Sequence, residues 1–427
     1  MADYYKTSYT SAGGRRRNQR SATGLIVDIV FGIISLIVVA LFLTVLFVPT
    51  LDPRECEEVS TLGLVAPIIY VAQVLLTLYW IIRWRLALAV PMILVSLFGV
   101  FSLSSFYRME VRRTYAEPKY DRQALKVMTY NVRSFIGDDG KRNIDSMVAM
   151  IKNINPDILC FQEFGFKDAI DTMLKSMYGL PKSLNRSNLS PAIYSRYPIV
   201  KAERIDTMKA FLWADIAVKD DTLRVFNLHL HSTTIRKADS NYIENHEYMN
   251  DEESEEQIKS MVARLTENNK LRAAQVDTIT QIIAASPYPV IVCGDFNDTP
   301  ISYTYRKMSR RMRDSYREQG RGYAHSYRGF FDMLRIDYIL CSKNFEVLSY
   351  DVIDSWGLQT QKTRRGDTIV VRHYGNQQVL LGEGVREYMD KDELKAMESD
   401  SVELSNEVGF SDHYPVMARL LYTKPTN

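Results

Sequence analysis

Three stretches near the N-terminus constrain this chain more than anything else in it. Residues 24–49 carry a single charge, Asp28, and residues 61–82 and 86–106 carry none. A helix needs about 20 apolar residues to cross a hydrocarbon core of about 30 Å, and each run is long enough. Amphipathic helices of water-soluble cores keep a polar face, and these runs lack one. Three membrane helices are therefore expected, forming a multi-pass anchor with the lipid bilayer as partner. A cleaved signal peptide fits the first run poorly. Its apolar stretch is too long, and Thr50 to Glu58 offers no small-residue cleavage site.

Lysine and arginine set the expected orientation. The basic tail (1–23) holds Lys6, Arg15, Arg16, Arg17 and Arg20, and the second loop is Arg83-Trp84-Arg85. The first loop has Arg54 beside Asp52, Glu55, Glu57 and Glu58. Positive residues favour the cytoplasmic side, which puts the N-terminus inside and everything after residue 106 outside. Arg108, Arg112, Arg113, Lys119 and Arg122 pull the other way. Three helices with Asp28 as their intramembrane charge give a transporter little to build a pathway from. Overall charge, 53 basic against 51 acidic residues, points to no partner. Cys56 sits in a loop and Cys160, Cys293 and Cys341 in apolar runs, so no disulfide framework is implied.

After a linker (107–123), strand and helix signals alternate from residue 124 to 422, followed by a short tail (423–427). Strand-like runs are 125–132, 157–164, 192–200, 211–218, 223–230, 289–296, 335–340 and 414–422, with helical patterns at 143–154 and 271–285. Several strands are apolar on both faces, which suits sheets covered on both sides. A single α/β domain on stacked sheets is expected. Residues 232–270 form an acidic insertion (Glu244, Glu247, Asp251, Glu252, Glu253, Glu255, Glu256), read as a solvated face. Residues 342–410 form a second insertion with a hairpin-like DTIVVRHYGNQQVLL.

The strands end on polar groups. The first ends in Asn131 and the second in Gln162-Glu163; 223–230 carries Asn227 and His229, with His231 just beyond. VIVCGDFNDTP places Asp295 and Asn297 at the end of another; Asp337 interrupts RIDYIL, and Ser411-Asp412-His413 precedes the last strand. One such ending is an ordinary turn. Six in one domain are economically explained by convergence on one pocket.

TYNV, FQE, SRYPI, NLHLH, GDFND, RIDYI and SDHYP, in this order over about 124–422, resemble the endonuclease/exonuclease/phosphatase superfamily. The resemblance implies a four-layer α/β sandwich, two central sheets flanked by helices, with the site at their common edge. It implies a Mg²⁺-dependent phosphoesterase, with Mn²⁺ as the other candidate cation. Glu163 is then the main metal ligand with Asn131 beside it, and Asp412 serves a second metal position. Asp295 orients or deprotonates water, while Asn297 and His229 hydrogen-bond the phosphoryl group. His413 is the base or a transition-state donor, with Asp337 as its carboxylate partner. His231 ranks behind His229, and Ser195-Arg196 shape the pocket. FQEFGF lacks the lysine that follows the metal glutamate in abasic-site endonucleases, so the expected substrate is a phosphoester of nucleic acid, lipid or small molecule. The rival class is an inactive membrane receptor that keeps the fold; intact metal and base positions argue against it. Residues 303–321 are basic, and Arg310, Arg311 and Arg313 are read as an electropositive substrate rim.

Overall fold

The structure, a computed structural model, describes residues 22–109, 124–137, 140–165, 167–178, 191–205, 211–233, 253–362, 368–374, 377–381 and 404–424. The tail before residue 22 lies outside the described residues. So do Arg112, Arg113, Lys119 and Arg122 of the linker, Glu244, Glu247, Asp251 and Glu252 of the acidic insertion, and residues 425–427.

Helices α1 (Ala22–Phe47) and α3 (Leu86–Leu103) form from the first and third apolar runs, and both are long and apolar enough to cross a membrane. The middle run departs from expectation. Pro67 occupies the first turn of α2 (Ala66–Ile82), and Glu58–Gly63 form a separate 3-10 turn before it. Proline suits a first helical turn because its missing N–H would be unbonded there anyway, so the helix begins at 66 and not at 61. Its 17 residues span about 25 Å at 1.5 Å each. The expected set of three is thus two full-length helices and a shorter one packed between them. Asp28 is not a lone charge: Arg83 Nη2 lies 2.8 Å from it and Arg85 also binds it. The acid on α1 is neutralised by the turn between α2 and α3.

Beyond the helices, two central sheets form. One has the order β12 (Phe345–Val352), β17 (Val416–Tyr422), β2 (Leu125–Asn131), β3 (Ile158–Gln162), β4 (Ala192–Ser195). The other runs β5 (Ile199–Ile205), β6 (Phe211–Val218), β7 (Asp221–His229), β8 (Val290–Asp295), β11 (Asp337–Cys341), β9 (Arg313–Asp314). Their facing sides share a core that includes Val127, Cys160, Val225, Ile291, Cys293 and Ile339. On one outer side, Met128, Leu159 and Phe161 pack against α4 (Ile144–Ile154) and α5 (Lys167–Tyr178). On the other, Phe226 and Val292 pack against Ala273, Val276 and Ile279 of α6 (Glu253–Ala284). Successive strand residues point to opposite faces, so strands covered on both sides are largely apolar, and where charges do enter, as Asp215 and Arg224 on neighbouring strands, they pair with each other (2.7 Å). This is the expected four-layer sandwich.

Two runs resolve differently from their sequence reading. Residues 192–200 look like one strand but split at Arg196-Tyr197-Pro198 into β4 and β5, which lie in different sheets. Pro198 has no N–H for a ladder, so the chain crosses there. The second insertion supplies β12 to a central sheet. It also forms a separate sheet, with β15 (Gln377–Leu381), β14 (Thr368–Tyr374), β13 (Ser355–Lys362) and β16 (Leu404–Glu407) in that order. The hairpin-like sequence is β14 paired with β15.

The loop between α1 and α2 packs against the sandwich. Ile301 joins Phe42, Val45, Val48, Ala66 and Phe106 in one apolar cluster. Around it Asn269 Nδ2 donates to Ser60 Oγ (2.8 Å), Arg54 meets Asp277 (2.7 Å) and Lys270 meets Glu57 (2.7 Å). At the exit of α3, β1 (Tyr107–Arg108) pairs with β10 (Gly322–Tyr323).

Candidate active site

Strand register builds the site. In the six-stranded sheet His229 lies beside Asp295 across the parallel β7–β8 pair, and Asp337 lies beside Asp295 across the antiparallel β8–β11 pair. One row across three strands therefore carries His, Asp and Asp. The other sheet contributes Asn131 at the end of β2, next to Gln162 of β3. Gly294 allows the close approach: a Cβ there would stand 2.0 Å from the Leu228 carbonyl oxygen, and its φ of +136° is one that other residues rarely adopt. The glycine before the first acid of GDFND is thus a packing requirement.

The two sheets are tied just beneath the row. Gln162 Nε2 donates to Asn227 Oδ1 (2.6 Å), and Asn227 Nδ2 donates to the carbonyls of Phe161 (2.9 Å) and Ala192 (2.7 Å). These buried amides hold the sheet edges together and face each other, not the cleft.

At the edge, Asn131 Nδ2 donates to Asp295 Oδ2 (3.0 Å) and Glu163 Oε1 (3.2 Å). His229 Nε2 is 3.7 Å from Glu163 and 3.9 Å from Asp295. The Asn297 backbone N–H donates to Asp295 Oδ1 (2.7 Å), while its side-chain amide donates to the Leu230 carbonyl (3.1 Å). Glu163 and Asn297 both hold positive φ, +47° and +51°. Such strain costs on the order of 1 kcal/mol per residue and gathers where surrounding structure enforces a site. Asp295 is almost wholly buried, and that burial, reinforced by the neighbouring Asp337, lifts its carboxyl to about 6.

His413 completes the row from the segment before β17. Its Nδ1 sits 2.9 Å from Asp337 Oδ2 and its Nε2 3.8 Å from Asp295 Oδ2. Burial works against its charge, but the carboxylates of Asp337 and Asp295 outweigh that and raise it to about 10. Tyr327 packs edge-on against the ring at 5.1 Å. Ser326 Oγ accepts the N–H groups of Ile336 and Asp337, both at 3.0 Å, and Ser411 Oγ donates to the Asn131 carbonyl (2.7 Å). Tyr327 and Ser326 lie outside every motif in the sequence, and nothing there marks them.

The donors fit a hard divalent cation. Glu163 is partly open to solvent and converges with Asp295, both carboxylates of the kind Mg²⁺ and Mn²⁺ prefer. Asn131 turns its Nδ2 to them and its Oδ1 accepts from the Arg133 N–H (3.1 Å), so it would ligate a cation only with its amide turned over. Asp337 Oδ1 is buried with no hydrogen-bond partner among the described residues. Asp295, Asp337 and His413 also bring ligand atoms within 4.8 Å of one another. With His413 charged and its Nδ1 already on Asp337, that trio suits proton handling better than cation binding.

Asp412 and the basic segment, both expected at the site, lie apart from the catalytic row, and so does the backbone of His231, which ranked behind His229. Asp412 meets Arg133 at 3.4 Å and lies 3.3 Å from Ser411 Oγ, on the rim and outside the buried trio. His231 is held by α6: its carbonyl accepts from Arg272 and its N–H donates to Gln275. Arg313 pairs with Cys341, four residues along β11 from Asp337, which is about 13 Å at strand rise. Arg310 and Arg311, just before it, are exposed, and the structure does not bring this basic segment to the catalytic row.

Residues 128–413 match the model of the endonuclease/exonuclease/phosphatase family. The chain belongs to that family. Residues 28–106 match a domain of unknown function. Similar solved structures include TDP2 from C. elegans (17% identity, 70% of this chain and 75% of that one, TM-score 0.40). A family protein from Bacteroides thetaiotaomicron matches at 19% identity over 70% and 98% of the two chains, TM-score 0.40. A mannosyl-6-phosphatase from the same bacterium matches at 20% identity over 70% and 100%, TM-score 0.40. No curated protein sequence matches the chain.

Proposed function

We propose that this chain is a membrane-anchored phosphoesterase dependent on Mg²⁺ or Mn²⁺. The observation that carries the reading is the meeting of Asn131, Glu163, His229, Asp295, Asp337 and His413 at one edge of two sheets, although they are scattered from residue 131 to 413. Glu163, with Asn131 once its amide turned its oxygen inward, would hold a divalent cation, which would supply positive charge to the phosphoryl oxygens. Asp295, buried and lifted to about 6, orients the attacking water and takes its proton. His229 and the second Nδ2 hydrogen of Asn297, the first being on the Leu230 carbonyl, offer N–H groups to oxygens that gain charge in the transition state. His413, kept charged by Asp337, acts as a donor to the phosphoryl group and not as the water's base. Asp337 fixes its orientation through Nδ1. Asp412 joins a second cation only by leaving Arg133.

The membrane arm of the reading rests on α1 and α3, with α2 completing a three-helix hairpin set. Asp28 bound to Arg83 and Arg85 puts the basic turn and the start of α1 at one end. We place that end in the cytoplasm and the catalytic domain outside. The substrate is a phosphoester of a lipid, a nucleic acid or a small molecule. The test is hydrolysis of bis-p-nitrophenyl phosphate, DNA, RNA and lipid headgroup esters by the full chain, with Mg²⁺ and with chelator. Turnover of any of them that chelator abolishes supports the reading; turnover unaffected by chelator refutes it.

A further inference from the structure

A groove runs between the exit of α3 and the segment holding α7 (Tyr303–Ser309) and α8 (Ser315–Gln319). Val100 and Leu103 of α3 and Met312 give it apolar walls, and Arg108, Arg313 and Arg317 ring it. The pairing of β1 with β10 seats Arg108 opposite Gly322, whose φ of +64° turns the chain there. Arg313 and Arg317 are both exposed.

The charge balance of the groove is positive. Asp314 lines it, but that carboxylate is buried and bound at 2.8 Å by Arg335. Glu318 meets Arg313 at 3.4 Å, leaving two further cations on the rim. Guanidinium groups match phosphate oxygens in geometry as well as charge. Val100 and Leu103 are 53% and 40% exposed and continue the apolar surface of α3 into the groove. An occupant must therefore offer an anion at one end and hydrocarbon at the other. Arg313 stands four residues along β11 from Asp337, so the groove is separate from the catalytic row.

We propose that this groove binds an anionic membrane phospholipid, its phosphate among Arg108, Arg313 and Arg317 and its acyl chains along α3. The lipid ties the base of the catalytic domain to one leaflet and fixes how the sandwich stands on the bilayer. This rests on the reading of α3 as a membrane helix.

The experiment is native mass spectrometry of the full chain in mild detergent, offered equal amounts of phosphatidylglycerol and phosphatidylcholine. Wild type is expected to retain phosphatidylglycerol several-fold over phosphatidylcholine. The Arg108→Gln, Arg317→Gln double variant should lose that preference and still hydrolyse bis-p-nitrophenyl phosphate like wild type. Arg306→Gln, on the same basic segment but outside the groove, should keep it. If the double variant does not fold, Arg317→Gln alone should reduce the preference. Equal retention of both lipids by wild type, or a preference that survives in the Arg108→Gln, Arg317→Gln double variant, overturns the proposal. Displacement of phosphatidylglycerol by soluble glycerol 1-phosphate at matched concentration overturns it too, since the occupant would then be a free phosphate. Alkaline carbonate extraction of membranes separates the two readings. Release of the chain into the supernatant refutes the membrane helices and this proposal together, whereas a retained chain without lipid preference refutes the groove alone.

Discussion

Thr299 Oγ1 donates a 2.9 Å hydrogen bond to the carbonyl of Gly63, 236 residues earlier in the chain. Thr299 is two residues past Asn297 in GDFND, and Gly63 ends the turn before α2. The loop between α1 and α2 is thus bonded to the loop that presents catalytic groups. A Cβ on Gly63 would stand 2.0 Å from the Ile301 carbonyl oxygen, so only glycine lets the two backbones meet. Gly63→Val is expected to push them apart at a cost of roughly 1–3 kcal/mol, the usual scale for overpacking. Thermal unfolding in detergent and kcat for a model phosphodiester should both fall. Unchanged values would mean that the loop does not dock as described.

Glu163→Gln should weaken the response to Mg²⁺ and the activity while leaving thermal unfolding unchanged. The carboxylate is partly solvent-exposed, so the fold does not depend on it. Full turnover of this variant in excess chelator would remove Glu163 from the metal site.

Asp295→Asn and His413→Ala should each lower kcat by on the order of 10²–10⁴, the range for positioned acid–base groups. His229→Ala should cost far more than His231→Ala, because His229 faces Glu163 and Asp295 whereas the backbone of His231 is bound to α6. Equal losses from the two alanine variants would refute that assignment.

Arg335 is fully buried, bound to Asp314 through both Nη atoms and flanked by the rings of Tyr305, Tyr316 and Tyr338. Asp314→Ala leaves that guanidinium without its counter-charge, which costs roughly 3–5 kcal/mol for a buried pair. Denaturant unfolding should show the loss. Because Arg335 precedes Asp337 by two residues, activity should drop as well. A variant as stable as wild type would show that the pair contributes nothing.

For topology, a reporter fused after Asn427 should behave as extracytoplasmic and one inserted at Arg83–Arg85 as cytoplasmic. Both reporters on one side would mean that α3 does not cross.

Much of this protein is legible in one dimension. Strand runs such as 290–295, and 125–131 apart from Lys126 and Thr129, are apolar as two covered faces demand, and a polar group at each strand end marks where the cover stops. The length and apolarity of α1 and α3 likewise follow from composition alone. What the chain cannot state locally is who meets whom. Asp337 and His413 are 76 residues apart and become partners only through the registers of β11 and β17. Residues 192–200 read as one strand, yet each half finds hydrogen-bond partners in a different sheet. Asp28 looks unpaired until α2 returns Arg83 and Arg85 to its level. The basic segment leaves GDFND in sequence and is expected from that to rim the same pocket, but β9 pairs at the far end of β11 and carries Arg313 away. Local pattern depends on covalent neighbours and fixes which faces are buried. The choice of partner depends on strand register and helix return across long loops, which only the folded chain decides.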